Sequence, residues 1–95
     1  MQNIILTKLA QTKEALSDQF GITKIAVFGS YARGEEREDS DVDIVILEVK
    51  QRTIHNRLNA KKMLEEKLQK KVDIGYFDSM KTFIRNRIQK DFIYV

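Results

Sequence analysis

Residues 24–47, KIAVFGSYARGEEREDSDVDIVIL, decide the fold. Residues 24–28 are rich in β-branched and aromatic side chains and stop at Gly29-Ser30, the pattern of a short strand. Residues 31–40 are polar and contain Gly34, so they read as a connection. Residues 41–47 form the clearest strand, with Val42, Ile44 and Ile46 on one face and Asp41, Asp43, Val45 and Leu47 on the other. A link of about a dozen residues with no obvious long helix favours an antiparallel pair. That pairing sets Gly29-Ser30, where the first strand ends, beside Asp41 and Asp43, where the second begins.

Upstream, residues 3–19 place Ile5, Leu9, Leu16 and the following Phe20 near a helical period, and Gly21 is a natural stop. Downstream, residues 53–69 carry Ile54, Leu58, Met63, Leu64 and Leu68 among many charges, predicting a second amphipathic helix. Residues 72–77 read as a third strand. Asp78 or Ser79 can cap a third helix reaching about residue 89, with Met80, Phe83, Ile84 and Ile88 facing inward. Residues 92–95 form a short strand or dock on the core. This order predicts an α/β (α+β) fold, a small mixed sheet with helices mainly on one side. A strand, a helical crossover and another strand in one sheet are nearly always parallel, so the third strand should run alongside the second. Neighbouring strands lie about 4.8 Å apart, bringing Asp43 and Asp73 within reach of shared metal ions if they share a face.

The glycine-serine loop suits phosphate. Ser30 can cap one helical turn through Tyr31, Ala32 and Arg33, which Gly34 would end, leaving N–H groups and a partly positive terminus pointing outward. Gly29 lacks a Cβ and lets an oxyanion approach the main chain, and Arg33 is a candidate phosphate contact. Asp41 and Asp43, two apart on a strand, point the same way, an arrangement suited to Mg²⁺, which prefers carboxylate, water and phosphate oxygens. Each feature has a plainer reading. Acids solubilise strand ends, an exposed loop arginine needs no ligand, and the three tyrosines serve packing more often than nucleotide stacking, Tyr31 being the one to test for base contact. His55 reads as a helix-surface residue, and Lys61, Lys62, Lys67, Lys70 and Lys71 as a solvated face.

Composition narrows the choice. At 95 residues, positions 1–95 read as one domain. A chain of this size buries only about 60–65 % of its unfolded surface, so a large acceptor must bring its own. Without cysteine, disulfides, thiolate zinc sites and cysteine nucleophiles drop out. A net charge of +3, with acids and bases mixed along the chain, supports no more than weak attraction to polyanions, and no basic stripe with interleaved aromatics argues for nucleic acid. No apolar run approaches the roughly 18–20 residues of a membrane span, and there is no signal-peptide pattern, which makes the cytoplasm the default.

Gly29-Ser30-Tyr31-Ala32-Arg33-Gly34 followed by Ser40-Asp41-Val42-Asp43-Ile44-Val45 resembles the signature of the DNA polymerase beta nucleotidyltransferase superfamily. Within it the chain resembles the minimal nucleotidyltransferase (MNT) group, often antitoxins paired with HEPN-domain toxins. The likeness spans essentially the whole chain, with Val72-Asp73-Ile74 standing at the third carboxylate. It implies that Gly29 and Ser30 hold the β- and γ-phosphates of ATP and that Asp41, Asp43 and Asp73 are catalytic, binding two Mg²⁺ ions, with Asp73 also helping to deprotonate the attacking hydroxyl. It further implies transfer of AMP to a tyrosine of a HEPN toxin. The alternative reading is a module that neutralises its partner by contact alone.

Overall fold

The computed structural model describes residues 4–95; Asn3, where the first helix was expected to begin, lies outside them. The elements are α1 (Ile4–Phe20), β1 (Ile22–Phe28), α2 (Ser30–Arg33), β2 (Val42–Val49), α3 (Ile54–Leu68), β3 (Val72–Tyr76), a 3-10 turn (Phe77–Ser79), α4 (Thr82–Gln89) and β4 (Ile93–Tyr94). Gly21 ends α1 in the left-handed region at φ 64°, its N–H bonded to Ser17 O at 3.0 Å. Thr53 caps α3 by accepting from the Asn56 N–H at 3.0 Å. The residues 92–95 resolve into strand β4.

The four strands form one mixed sheet in the order β3-β2-β1-β4. β1 runs antiparallel to β2 and β4, while β3, reached through α3, runs parallel to β2. On one face of the sheet, Ile25, Val27, Val42, Ile44, Ile46, Val72 and Ile74 share a buried cluster with Leu9 and Leu16 of α1 and Leu64 and Leu68 of α3. Burying each such side chain is worth roughly 1.5–3 kcal/mol against leaving it in water, and this layer carries most of the stability. The one buried polar side chain among the described residues, Thr12, returns its hydroxyl to Leu9 O at 2.7 Å.

The opposite face has no helical layer of that extent. Strand alternation puts Ala26, Phe28, Asp43, Val45, Asp73 and Gly75 on it. Ala26 and Val45 are nevertheless buried. Beside them lies an aromatic group in which Phe92 meets Phe28, Phe77 and Tyr94 at centroid distances of 6.4, 5.7 and 5.8 Å. Among the described residues no helix is long and apolar enough to cross a membrane.

Three expectations need correction. Neither Asp78 nor Ser79 caps the last helix: Asp78 is ion-paired to Arg52 at 2.6 Å, Ser79 accepts from the same guanidinium, and the chain makes a 3-10 turn before α4 starts at Thr82 without a side-chain cap. α4 buries no residue, and Phe83 is 67 % exposed, because two turns at the sheet's periphery find no opposing layer. In α3 the inward stripe is Ala60, Leu64 and Leu68, while Ile54 and Leu58 are 69 % and 45 % exposed. Leu58 stands two residues, or about 200° of helical rotation, from Ala60 and so faces away from it.

Candidate carboxylate and glycine-serine site

The β2 register carries the site's acids. Asp43 pairs with Phe28 of β1 on one side and with Asp73 of β3 on the other, so Asp43 and Asp73 lie in one row across the sheet. Side chains in such adjacent positions project from the same face, on strands about 4.8 Å apart. Asp41 precedes the first residue of β2. Its approach is fixed by Val42 N–H donating to Lys71 O at 2.9 Å and by a turn in which Arg37 N–H donates to the Ser40 hydroxyl at 2.8 Å. Lys70 Nζ donates to Glu38 O at 2.6 Å and ties the polar connection to the start of β3.

Gly29 closes the site from the β1 side. It sits at φ 75°, ψ −151°, a region essentially restricted to glycine. A Cβ placed there would overlap the Asp43 carboxylate oxygen and come within 3.1 Å of its Cγ. The main chain of the loop and the Asp43 carboxylate are therefore in direct apposition, and no other residue type allows it. This changes the expected role of Ser30: Gly29 occupies the N-cap position, and Ser30 is the first residue of α2, its hydroxyl not engaged in a cap. Gly34 ends the turn at φ 71° with its N–H directed to Ser30 O.

Electrostatics follow the geometry. The Asp43 carboxyl is held above the usual carboxylate range, first by burial and then by the negative charges of Asp73 and Asp41; Arg33 opposes them. Asp43 thus feels two acids that come from another strand and from the loop before β2. Among the described residues, no three such side chains are gathered tightly enough to hold an ion as they stand. Like charges brought this close repel, and a hard divalent cation is the species whose charge would relieve that repulsion. The donor set, all carboxylate and beside a bare glycine main chain, fits such an ion.

Other candidates fall differently. Arg33 is near enough to favour ionised Asp43, yet its guanidinium is committed to Glu35 Oε1 at 2.7 Å and Asp91 Oδ2 at 3.1 Å. Tyr31 is buried in the main core and is not available for base contact. His55 is exposed on α3. Asp91 was not anticipated; it lies 58 positions from Arg33, and no local spacing signals the pairing.

The family model of the nucleotidyltransferase domain matches residues 9–95. Protein adenylyltransferase MntA of Thermococcus cleftensis is 36 % identical over 87 residues, covering 92 % of this chain and 88 % of the relative. A solved structure provisionally named a minimal nucleotidyltransferase superposes with a TM-score of 0.75 at 33 % identity, over 93 % of both chains. A complex of a tri-AMPylated Shewanella oneidensis HEPN toxin with its MNT antitoxin gives a TM-score of 0.71 over 99 % of this chain and 71 % of that one; at 20 % identity the likeness is one of fold.

Proposed function

The chain belongs to the nucleotidyltransferase domain family, and on that premise we propose that it transfers AMP from ATP to a protein hydroxyl, a tyrosine of a HEPN-domain toxin, as the antitoxin of a toxin–antitoxin pair. The observation that carries the reading is the row of Asp43 and Asp73 with Gly29 pressed against the Asp43 carboxylate. A relative named protein adenylyltransferase and a fold neighbour bound to an AMPylated HEPN toxin support the same assignment.

Asp41, Asp43 and Asp73 would hold two Mg²⁺ ions, which supply neutralisation of the phosphate charge and of the charge that develops on the entering and leaving oxygens. Gly29 leaves the main chain bare where the β- and γ-phosphates approach, and the uncommitted Ser30 hydroxyl donates to a phosphate oxygen. Arg33 favours the ionised form of Asp43 against the larger, opposing effects of burial and of the charges of Asp73 and Asp41. Asp73 takes the proton of the acceptor hydroxyl as its oxygen bonds to the α-phosphorus. The bond from that phosphorus to the β-bridging oxygen breaks, and pyrophosphate departs with the electron pair. Such chemistry asks alignment and charge neutralisation of the protein and little else.

Incubation with ATP labelled at the α-phosphate, Mg²⁺ and the HEPN partner tests the reading. Label should appear on the partner with the wild type and vanish with Asp43→Ala. No label with either protein would overturn it.

A further inference from the structure

A cavity of about 520 Å³ lies where the C-terminal half of β3 meets the first turn of α3, lined by Arg52, Ile54, Arg57, Gly75, Tyr76 and Ser79. We propose that this cavity and its exposed rim dock the acidic, hydroxyl-bearing segment of the acceptor protein, delivering the hydroxyl to the Asp73 side of the site. The proposal rests on the transfer reading above and assigns it a surface.

Strand order sets the direction of approach. An in-line displacement needs the entering and leaving oxygens on opposite sides of the phosphorus. The loop read as holding the leaving phosphates, Gly29-Ser30, follows β1, Asp43 lies on β2, and Asp73 lies on β3, the outer strand. From the β1 side to the β3 side is two strand spacings, or about 10 Å. The acceptor must therefore arrive from the β3 side, and the cavity lies against the outer edge of that strand, reaching the carboxylate face at Gly75. Gly75 is on the same face as Asp73 and only two residues on, about 7 Å along the strand. Gly75 itself carries no side chain, and the Met80 methyl, 3.7 Å from where its Cβ would stand, walls the row between Asp73 and the cavity.

The lining states what the segment should carry. Arg57 donates to Ile74 O at 3.1 Å and has no carboxylate partner among the described residues, so part of its guanidinium is left for an incoming acid. Arg52 stacks over the Tyr76 ring at 4.1 Å to the centroid and pairs with exposed Asp78, an ion pair a second carboxylate can exchange with. Ile54 and Leu58, 69 % and 45 % exposed one turn apart, provide the apolar contact. β-strand addition is blocked, because Glu65 Oε2 accepts the Val72 N–H and Arg57 occupies Ile74 O. The fitting occupant presents carboxylates beside an aliphatic or aromatic residue.

The test uses the intact protein with ATP, Mg²⁺ and its HEPN partner. Apparent KM values for acceptor and for ATP, with unfolding temperatures, are measured for wild type, Arg57→Ala, Ile54→Glu, which alters an exposed side chain, and Phe83→Glu on the equally exposed α4. Ile54→Glu and Arg57→Ala should each raise the acceptor KM about tenfold or more, the loss expected of a buried contact, with the ATP KM unchanged. Added salt should raise the wild-type acceptor KM more than that of Arg57→Ala. An unchanged acceptor KM for Ile54→Glu overturns the assignment, as does a rise with Phe83→Glu in place of Ile54→Glu. Should Arg57→Ala fail to fold, Ile54→Glu decides alone. Absence of label with the wild type brings down the transfer reading itself, a result distinct from active variants with normal KM.

Discussion

Gly29→Ala isolates the contact on which the site is built. Alanine at φ 75°, ψ −151° enters a region open essentially to glycine only, costing about 1–3 kcal/mol of backbone strain. Its Cβ also overlaps the Asp43 carboxylate, a group anchored on β2 between β1 and β3, so the carboxylate must rotate away or the strands must part. Taking about 2 kcal/mol for the sum, Tm should fall by roughly 8–16 °C for a domain of this size. The assay is urea and thermal unfolding of four proteins in metal-free buffer: wild type, Gly29→Ala, Asp43→Ala and the double variant. In the Asp43→Ala background the overlap is gone and only the backbone strain remains, so the glycine substitution should cost less there by about 1 kcal/mol. Equal costs in the two backgrounds, within about 0.5 kcal/mol, would refute the apposition of loop and carboxylate. AMP transfer should be lost in Gly29→Ala even at temperatures where it remains folded, because the carboxylate has been turned from its row.

The acids themselves should weaken the metal-free protein. A carboxyl whose folded pKa is raised contributes stability that is fully present below its unfolded value of about 3.9 and is lost as pH rises through the folded value. Asp43→Asn should abolish that loss and leave the metal-free protein more stable at neutral pH, by about 0.5 kcal/mol given that solvent screens the half-buried group, while ending transfer. Mg²⁺ should raise the wild-type Tm and leave that of Asp43→Asn nearly unchanged, which a titration followed by circular dichroism would check. Arg33 lowers the Asp43 pKa, so Arg33→Ala should move the pH at which this stability is lost upward; a curve that stays in place or moves down would remove Arg33 from the site's electrostatics.

The central elements were legible because they rest on short-range rules. Alternation across 41–47 separated Ile44 and Ile46 from Asp43, and the length of the two connections gave β1 and β2 as antiparallel and β2 and β3 as parallel. Those rules bring Asp43 and Asp73 to neighbouring strands, and the register adds that they share a face and a row. What the sequence left open depends on long-range choices. Ser30 looked like a cap because serine favours that position, yet the demand for close approach to Asp43 put Gly29 there. Asp78 and Ser79 also looked like caps, but Arg52, 26 and 27 positions earlier, engages both. Phe83, Ile54 and Leu58 were read inward because apolar residues usually are; whether a layer exists to receive them is a property of the whole fold.

The two faces of β2 explain how so small a domain can hold clustered acids. Val42, Ile44 and Ile46 deliver their side chains to the layer under α1 and α3, and the stabilisation gathers there. On the reverse face Asp43 meets Asp73, and their repulsion is tolerated because that face contributes less to the core. Moving the acids to the helical face would bury them among Leu9, Leu64 and Ile74, where an unpaired charge costs several kcal/mol, a large share of what a chain of this length commands. A second helical layer over the reverse face would remove the repulsion's solvent screening and also close the route to Asp73. The thin aromatic group of Phe77, Phe92 and Tyr94 is a compromise: Ala26 and Val45 of this face are buried, while the row of acids stays uncovered, as the proposed approach of a triphosphate from the β1 side and an acceptor from the β3 side requires.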